Sequence, residues 1–309
     1  MVYQNILEAI GNTPMIRLNK LPGANDGQVL VKYEGVNIGG SIKTRTACNM
    51  ILEAERRGDV GPGTIIVEPT SGNQGIGLAM VGAVRGYRTI IVMPDSVSVE
   101  RRQLVTQYGA EVILIEDEGD IGACIDRCLK TALRLAAEDS RVFVPQQFTN
   151  PDNPAVQRDQ TAREILEQVD GPLHGFCSGV GTGGTISGIG EVLRGKYPDM
   201  QIWALEPENA AILSGGSIGT HLQMGIGDGM IPENLNTRIF DRVVTVSDDE
   251  ALQTTRDLAR LEGILCGISS GANVAVALRM AKELGAGHTV ITLLPDTGER
   301  YFSTPLFGQ

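Results

Sequence analysis

Short β-branched runs alternate with amphipathic stretches along almost the whole chain, a rhythm that predicts repeated βα units and parallel sheets covered by helices, an α/β fold. The apolar runs place strands at 29–33, 64–67, 89–93, 111–115, 141–144, 174–177, 201–205, 242–246 and 289–294. Helical spacing predicts 44–57, 74–85, 99–108, 122–138, 155–168, 185–194, 248–261 and 272–283. The Pro- and Asn-rich stretch 145–154 interrupts this rhythm, because closely spaced prolines oppose both helix and ladder, and it marks a junction between two lobes. A second irregular region, 214–232, is glycine-rich and long enough to form a functional loop.

A chain of 309 residues with 42% hydrophobic content can bury a substantial core. Its net charge of −11 opposes extended contact with nucleic-acid phosphates or anionic membranes, so a small-molecule partner is expected. No apolar run reaches the roughly 20 residues needed to span a bilayer. The five cysteines, Cys48, Cys124, Cys128, Cys177 and Cys266, are odd in number and lack CxxC spacing. With no signal-peptide pattern at the N-terminus, they point to a reducing cytoplasm. Cys124 and Cys128 share a predicted helix face but have no nearby histidine, and read as small buried apolar residues. His174, His221 and His288 show no ligand spacing, so no metal is expected.

Candidate chemistry begins at Lys43, which lies in the glycine-rich turn Asn37-Ile-Gly-Gly-Ser-Ile-Lys43-Thr-Arg45. A confined lysine loses hydration, which lowers its pKa and supplies the neutral amine that a Schiff base needs; the bland alternative is a solvated helix start. Gly179-Val-Gly181-Thr-Gly183-Gly184-Thr185 joins a predicted strand to a predicted helix and suits a phosphate. It also satisfies GxGxxG, with Glu206 at the end of the next strand, so an NAD-dependent dehydrogenase is a rival. The loop Glu68-Pro-Thr70-Ser71-Gly72-Asn73-Gln74-Gly75 suits a carboxylate, unless Ser71 or Asn73 simply caps the helix. An amine and two anion cradles match an amino-acid substrate and a cofactor bearing a phosphate and an aldehyde, a description that pyridoxal 5'-phosphate meets.

The chain resembles the cysteine synthase and cystathionine β-synthase family of fold type II pyridoxal phosphate enzymes, from Ile10-Gly-Asn-Thr-Pro14 to Gly298-Glu-Arg-Tyr301. The motifs that carry the resemblance are Ser41-Ile-Lys43, Thr70-Ser-Gly-Asn73, Gly181-Thr-Gly-Gly-Thr185, Gly267-Ile-Ser269-Ser270-Gly271 and Pro295-Asp-Thr-Gly-Glu-Arg-Tyr301. The resemblance implies that Lys43 forms the internal aldimine and shuttles the α-proton, that Asn73 contacts the ring hydroxyl, and that Ser269 bonds the pyridine nitrogen. A neutral serine there favours β-elimination over transamination. Gly181, Thr182, Gly183, Gly184 and Thr185 would bind the phosphate; Thr70, Ser71, Gln74 and Gln147 would hold the substrate carboxylate.

The implied reaction removes a β-substituent from an L-amino acid such as O-acetylserine, cysteine or serine, giving an aminoacrylate that sulfide, a thiol or water then attacks. The resemblance further implies two lobes, each with a mostly parallel twisted sheet: a smaller mobile one, 46–145, and a larger one, 1–45 plus 146–309. It implies a homodimer, leaves docking of a serine acetyltransferase open, and predicts neither a C-terminal regulatory module nor a haem-binding extension. The chain departs from the family's usual pattern at Ile38, Thr44 and Gln74, and at Asp228 in Gly225-Ile-Gly-Asp228-Gly-Met-Ile-Pro232, where cysteine synthases usually carry a small apolar residue. A carboxylate there would serve as a base toward water, a thiol or an amine, which suggests a cysteine-consuming, sulfide-releasing enzyme; the bland alternative is a turn cap. A non-catalytic amino-acid-binding relative is the remaining reading.

Overall fold

The computed structural model describes residues 2–119 and 121–308. In chain order the first elements are β1 (Met15–Arg17), β2 (Gln28–Tyr33), α1 (Lys43–Arg57), β3 (Ile65–Pro69), α2 (Asn73–Arg85), β4 (Arg88–Pro94), α3 (Val99–Gln107), β5 (Glu111–Ile115), α4 (Ile121–Glu138) and β6 (Val142–Phe143). They are followed by α5 (Asp152–Val156), α6 (Ala162–Gln168), β7 (Gly175–Gly179), α7 (Gly184–Lys196), β8 (Gln201–Pro207), β9 (Arg242–Val246), α8 (Asp248–Asp257), α9 (Ile268–Leu284) and β10 (Thr289–Leu294). Two sheets result, one of six strands in the order β1-β2-β10-β7-β8-β9 and one of four in the order β5-β4-β3-β6. Every neighbouring pair is parallel except β1 with β2.

Parallel strands covered on both faces have no solvent side, so their sequences are continuous apolar runs. All six residues of β10 are buried. Alternate strand residues feed separate cores: Val29, Val31 and Cys177 join α8 and α9, whereas Leu30, Phe176 and Ile291 meet α6 and α7. The smaller sheet repeats the arrangement, with Ile66, Ile91 and Met93 packed toward α1–α3 and Ile65, Val67 and Val92 toward Cys124, Cys128 and Ala132 of α4.

Two features escape the apolar pattern. β1 is only three residues long, too short to show a period. The helix expected at 155–168 starts earlier, at Asp152, and a π-turn over Gln157–Thr161 divides it into α5 and α6. Pro154 does not prevent this, because it stands in the first turn, where no intrahelical N–H bond is needed.

The start of α1 has no side-chain N-cap. It is held instead by Arg45, only 1% exposed, which grips Glu34 through Nε and Nη2, both at 2.9 Å. The same guanidinium donates to Glu164 at 2.6 and 2.8 Å. Lys32, fully buried, completes the cluster through Glu164 at 2.8 Å and Thr13 O at 2.6 Å. Two cations thus face two carboxylates. Although burial disfavours its charge, Arg45 is held above the usual arginine range by Glu34 and Glu164. Burial likewise opposes ionisation of Glu164, yet Arg45 and Lys32 hold its carboxyl down at about 2. On the opposite side, a Cβ on Gly77 would stand 2.8 Å from Ala47 Cβ and 3.1 Å from Lys43 O, so only glycine lets α2 lie this close to the first turns of α1.

Truncating Arg45 strands the Glu34 carboxylate in the interior and leaves Glu164 with Lys32 alone. Arg45→Leu is expected to cost about 3–5 kcal/mol in urea unfolding. A loss within the scatter of surface substitutions would show that the cluster does not support the fold.

Candidate active site

A cavity opens at the C-terminal ends of β3, β7 and β10, where parallel α/β sheets present their loops. Lys43, Thr70, Ser71, Asn73, Gln74, Gln147, Gly181, Thr182, Gly183, Thr185, Asp228 and Ser269 all line it. The chain therefore brings together every expected site residue except Gly184, which lies behind the wall. A Cβ on Gly184 would stand 2.1 Å from Asn153 Oδ1.

Lys43 is the first residue of α1, and Ile42 N–H donates to Pro295 O, which anchors this start to the end of β10. Lys43 Nζ donates to Thr182 Oγ1 at 3.4 Å, so the amine touches the 181–185 loop directly. Desolvation lowers the Lys43 pKa, against the opposing pull of Asp228 and Asp296. Burial raises the Asp228 carboxyl, with Lys43 and His221 pulling it back down. Both residues are half-buried and line the cavity. The structure gives Asp228 no hydrogen bond to the described residues, so it does not cap its turn.

The 181–185 loop is built for an anion. Gly183, at φ +78°, precedes α7 without a side-chain cap, which leaves the N–H groups of the first turn available. A Cβ on Gly181 would stand 2.3 Å from Gly225 O. Asn153 Nδ2 donates to Thr182 Oγ1 at 2.9 Å and to Gln147 O at 2.8 Å, tying this loop to the segment that joins the two sheets. A phosphate cradle beside a lysine amine of lowered pKa fits pyridoxal phosphate, and Ser269, in the first turn of α9, completes the lining.

The loop after β3 behaves similarly. The N-cap of α2 is Gly72, with no side-chain bond, so neither Ser71 nor Asn73 caps the helix. Thr70 Oγ1 accepts from Gly72 N–H at 3.2 Å. Gln74 turns its amide nitrogen to Met50 Sδ at 3.6 Å, while its Oε1 has no partner. Asn73 donates to Asp296 Oδ2 at 2.7 Å and accepts from Arg300; Tyr301 OH donates to the same Asp296 oxygen at 2.7 Å. Glu206, the candidate ribose acid, accepts from Leu213 N–H, Ser214 N–H and Ser214 Oγ, which leaves it closing a loop away from the cavity.

Sequence reasoning missed Asn153, Asp296 and Glu68. Asp296 stands inside a motif that was visible, whereas Asn153 is hidden among prolines. Glu68, one residue before the end of β3, accepts the N–H groups of Gln146 and Gln147, both at 2.9 Å, with Gln146 at φ +58°.

Fully buried, the Glu68 carboxyl is raised by desolvation to about 7 despite those two bonds. Its ordinary value is 4.5, so between these limits the native state holds a proton that the unfolded chain has lost, and the group's contribution to stability falls as pH rises. Relative to wild type, Glu68→Gln should therefore gain stability as pH is raised from about 5 to about 8 in urea unfolding. A difference that stays flat would mean that Glu68 is ionised in the fold throughout.

The sequence pattern of the family "Pyridoxal-phosphate dependent enzyme" matches residues 6–296. A cysteine synthase of Staphylococcus aureus (strain Mu50 / ATCC 700699) is 48% identical over 308 residues, 98% of this chain and 97% of the relative. The crystal structure of an O-ureido-L-serine synthase superposes with a TM-score of 0.94 at 43% identity, covering 99% of this chain and 96% of that one. A hydrogen sulfide-producing enzyme from Fusobacterium nucleatum superposes with a TM-score of 0.91 at 40% identity, covering 97% and 100%.

Proposed function

The chain belongs to the cysteine synthase family of pyridoxal-phosphate dependent enzymes, and from that premise we propose that Asp228 is a general base and that L-cysteine is a substrate, converted to L-serine with release of hydrogen sulfide. The coarse chemistry follows from membership: the protein is an enzyme of cysteine metabolism that performs β-replacement with pyridoxal 5'-phosphate. When bound, the cofactor acidifies the substrate's α C–H and delocalises the resulting charge. In the proposal, Lys43 Nζ holds the aldehyde and then carries the α-proton. Gly181, Thr182, Gly183, Gly184 and Thr185 bind the phosphate, Ser269 faces the ring nitrogen, and Asn73 faces the ring hydroxyl. The substrate carboxylate lies against Thr70, Ser71, Gln74 and Gln147 at the open start of α2.

The observation that carries the reading is Asp228, which lines the cavity, interacts electrostatically with Lys43, and is raised by burial. A carboxylate of raised pKa is the better proton acceptor. The sulfur leaves Cβ as hydrosulfide; water then bonds Cβ and gives its proton to Asp228, and that proton completes hydrogen sulfide, so cysteine and water balance serine and sulfide. Likeness to the Fusobacterium nucleatum enzyme supports this direction. Likeness to the Staphylococcus aureus cysteine synthase favours the second reading, in which sulfide is the nucleophile and O-acetylserine the donor.

The proposal extends to motion and assembly. The lobe 46–145 closes on 1–45 plus 146–309 when the carboxylate binds, excluding water from the reacting atoms. Glu68 supports this by bonding Gln146 and Gln147 at the crossing between lobes. The working form is a cytoplasmic homodimer, in keeping with five buried free cysteines, and docking of a serine acetyltransferase is tested by co-purification.

Lys43→Ala is expected to remove both the visible absorption of the bound cofactor and all turnover. Asp228→Asn should keep the absorption while sulfide and serine formation from L-cysteine fall by about 10²–10⁴. Sulfide release unaffected by Asp228→Asn would overturn the base assignment; robust cysteine formation from O-acetylserine with no sulfide release from cysteine would select the second reading.

A further inference from the structure

Arg101 is a buried guanidinium that the reaction above does not use. It stands on α3, only 3% exposed, and none of the ion pairs among the described residues includes it. Its Nε has no partner. Its Nη1 meets Met224 Sδ at 2.6 Å, a weak acceptor, and its Cζ lies 4.9 Å from the centre of the Tyr301 ring. The contrast with Arg45 is direct, since that equally buried guanidinium grips two carboxylates. Arg300 also lacks a carboxylate, yet it donates to Asn73 Oδ1 and Gly39 O. A buried cation with open donors is costly unless something anionic completes it.

The position indicates what that is. Arg101 lines the catalytic cavity and also an adjoining outer cavity, whose walls include Ser71, Ser96, Thr220, His221 and Asp228. The amino-acid donor already has a carboxylate cradle at the start of α2. The outer cavity therefore presents two separate groups to a second reactant: the Asp228 carboxylate to take its proton and the Arg101 fork to hold an anion. Sulfide is too small to meet both. A planar carboxylate matches an arginine fork in two-point geometry, which a lysine cannot reproduce.

We infer that Arg101 determines specificity for the nucleophile, selecting a thiol that carries its own carboxylate. This rests on the β-replacement reading with Asp228 as base. In the transfer, the α-proton passes to Lys43 and the donor's β-substituent leaves with its electron pair; the sulfur then bonds Cβ, its S–H proton passes to Asp228 and the α-proton returns, with no net change of oxidation state.

The test compares 3-mercaptopropionate with its isosteric amide, 3-mercaptopropionamide. Calorimetric titration into the holoenzyme requires no turnover, and the acid is expected to bind about tenfold more tightly, a difference of about 1.4 kcal/mol. Arg101→Met should erase that preference while leaving the affinity for the amide unchanged, and Arg101→Lys should keep part of it. In thioether formation the same preference should appear in KM and leave kcat nearly equal. Equal binding of acid and amide to wild type, or a preference that survives in both variants, overturns the assignment. Visible absorption of the bound cofactor confirms that each variant is assembled; if the Met variant loses it, the Lys variant decides. Sulfide release from L-cysteine, recorded in the same preparations, separates the two readings. Its absence sinks the L-cysteine proposal, whereas the binding preference alone judges Arg101.

Discussion

The site depends on a buried ionic knot. Arg45, Glu34, Glu164 and Lys32 join the N-terminal segment, β2, the first turn of α1 and α6 at one point. A helix that begins without a cap would ordinarily fray, and its first residue would wander. Here that first residue is Lys43, and the knot lies two residues further on, so its rigidity passes directly to the amine. Four charges in the interior are poor evidence of net stability in themselves, because desolvation offsets most of their attraction. What the balanced set of two cations and two carboxylates supplies is a single geometry, since every alternative leaves at least one charge unpaired.

From this anchor the cavity is assembled by close packing and by side-chain hydrogen bonds between loops. Gly77 brings α2 against α1, which sets the loop after β3 beside Lys43. Asn153 joins the phosphate loop to Gln147, and Asn273 accepts from Gly179 N–H while donating to Leu293 O, aligning the ends of β7 and β10. Amides suit these joints, because Asn273 both accepts and donates and so fixes two backbones, while the amide nitrogen of Asn153 serves two acceptors at once. The lining thus consists of loop ends held by polar side chains, behind which the apolar cores are complete.

Much of the fold was legible because parallel strands buried on both faces leave uninterrupted β-branched runs; β5, β9 and β10 have the limits their sequences imply. The residues lining the cavity were legible for a related reason, since glycines and hydroxyls at strand-to-helix junctions have few other uses. The failures have physical causes. β1 is stabilised only by its partner, and the helix start at Asp152 reads as a break until Pro154 is placed in a first turn. Glu206 fitted a ribose acid by spacing, but spacing does not reveal that Leu213 and Ser214 fold back onto it. Arg101 and Glu68 could not be singled out at all, because what distinguishes them is burial without a charged partner, a property of three dimensions.

Asp228 stands in the irregular 214–232 region without a hydrogen bond to the described residues, whereas Lys43 starts the helix that the ionic knot holds two residues further on. On the roles proposed for these two residues, the two halves of the reaction are unequally exposed to genetic change. Replacing the residue at 228 breaks no ladder, core contact or cap, so under the proposed role of Asp228 variants that exchange one nucleophile for another lie a single step apart in folding terms. Any change near Lys43 must be matched at several distant positions together. A scaffold so divided can diversify the second half of its chemistry while the first half stays as it is.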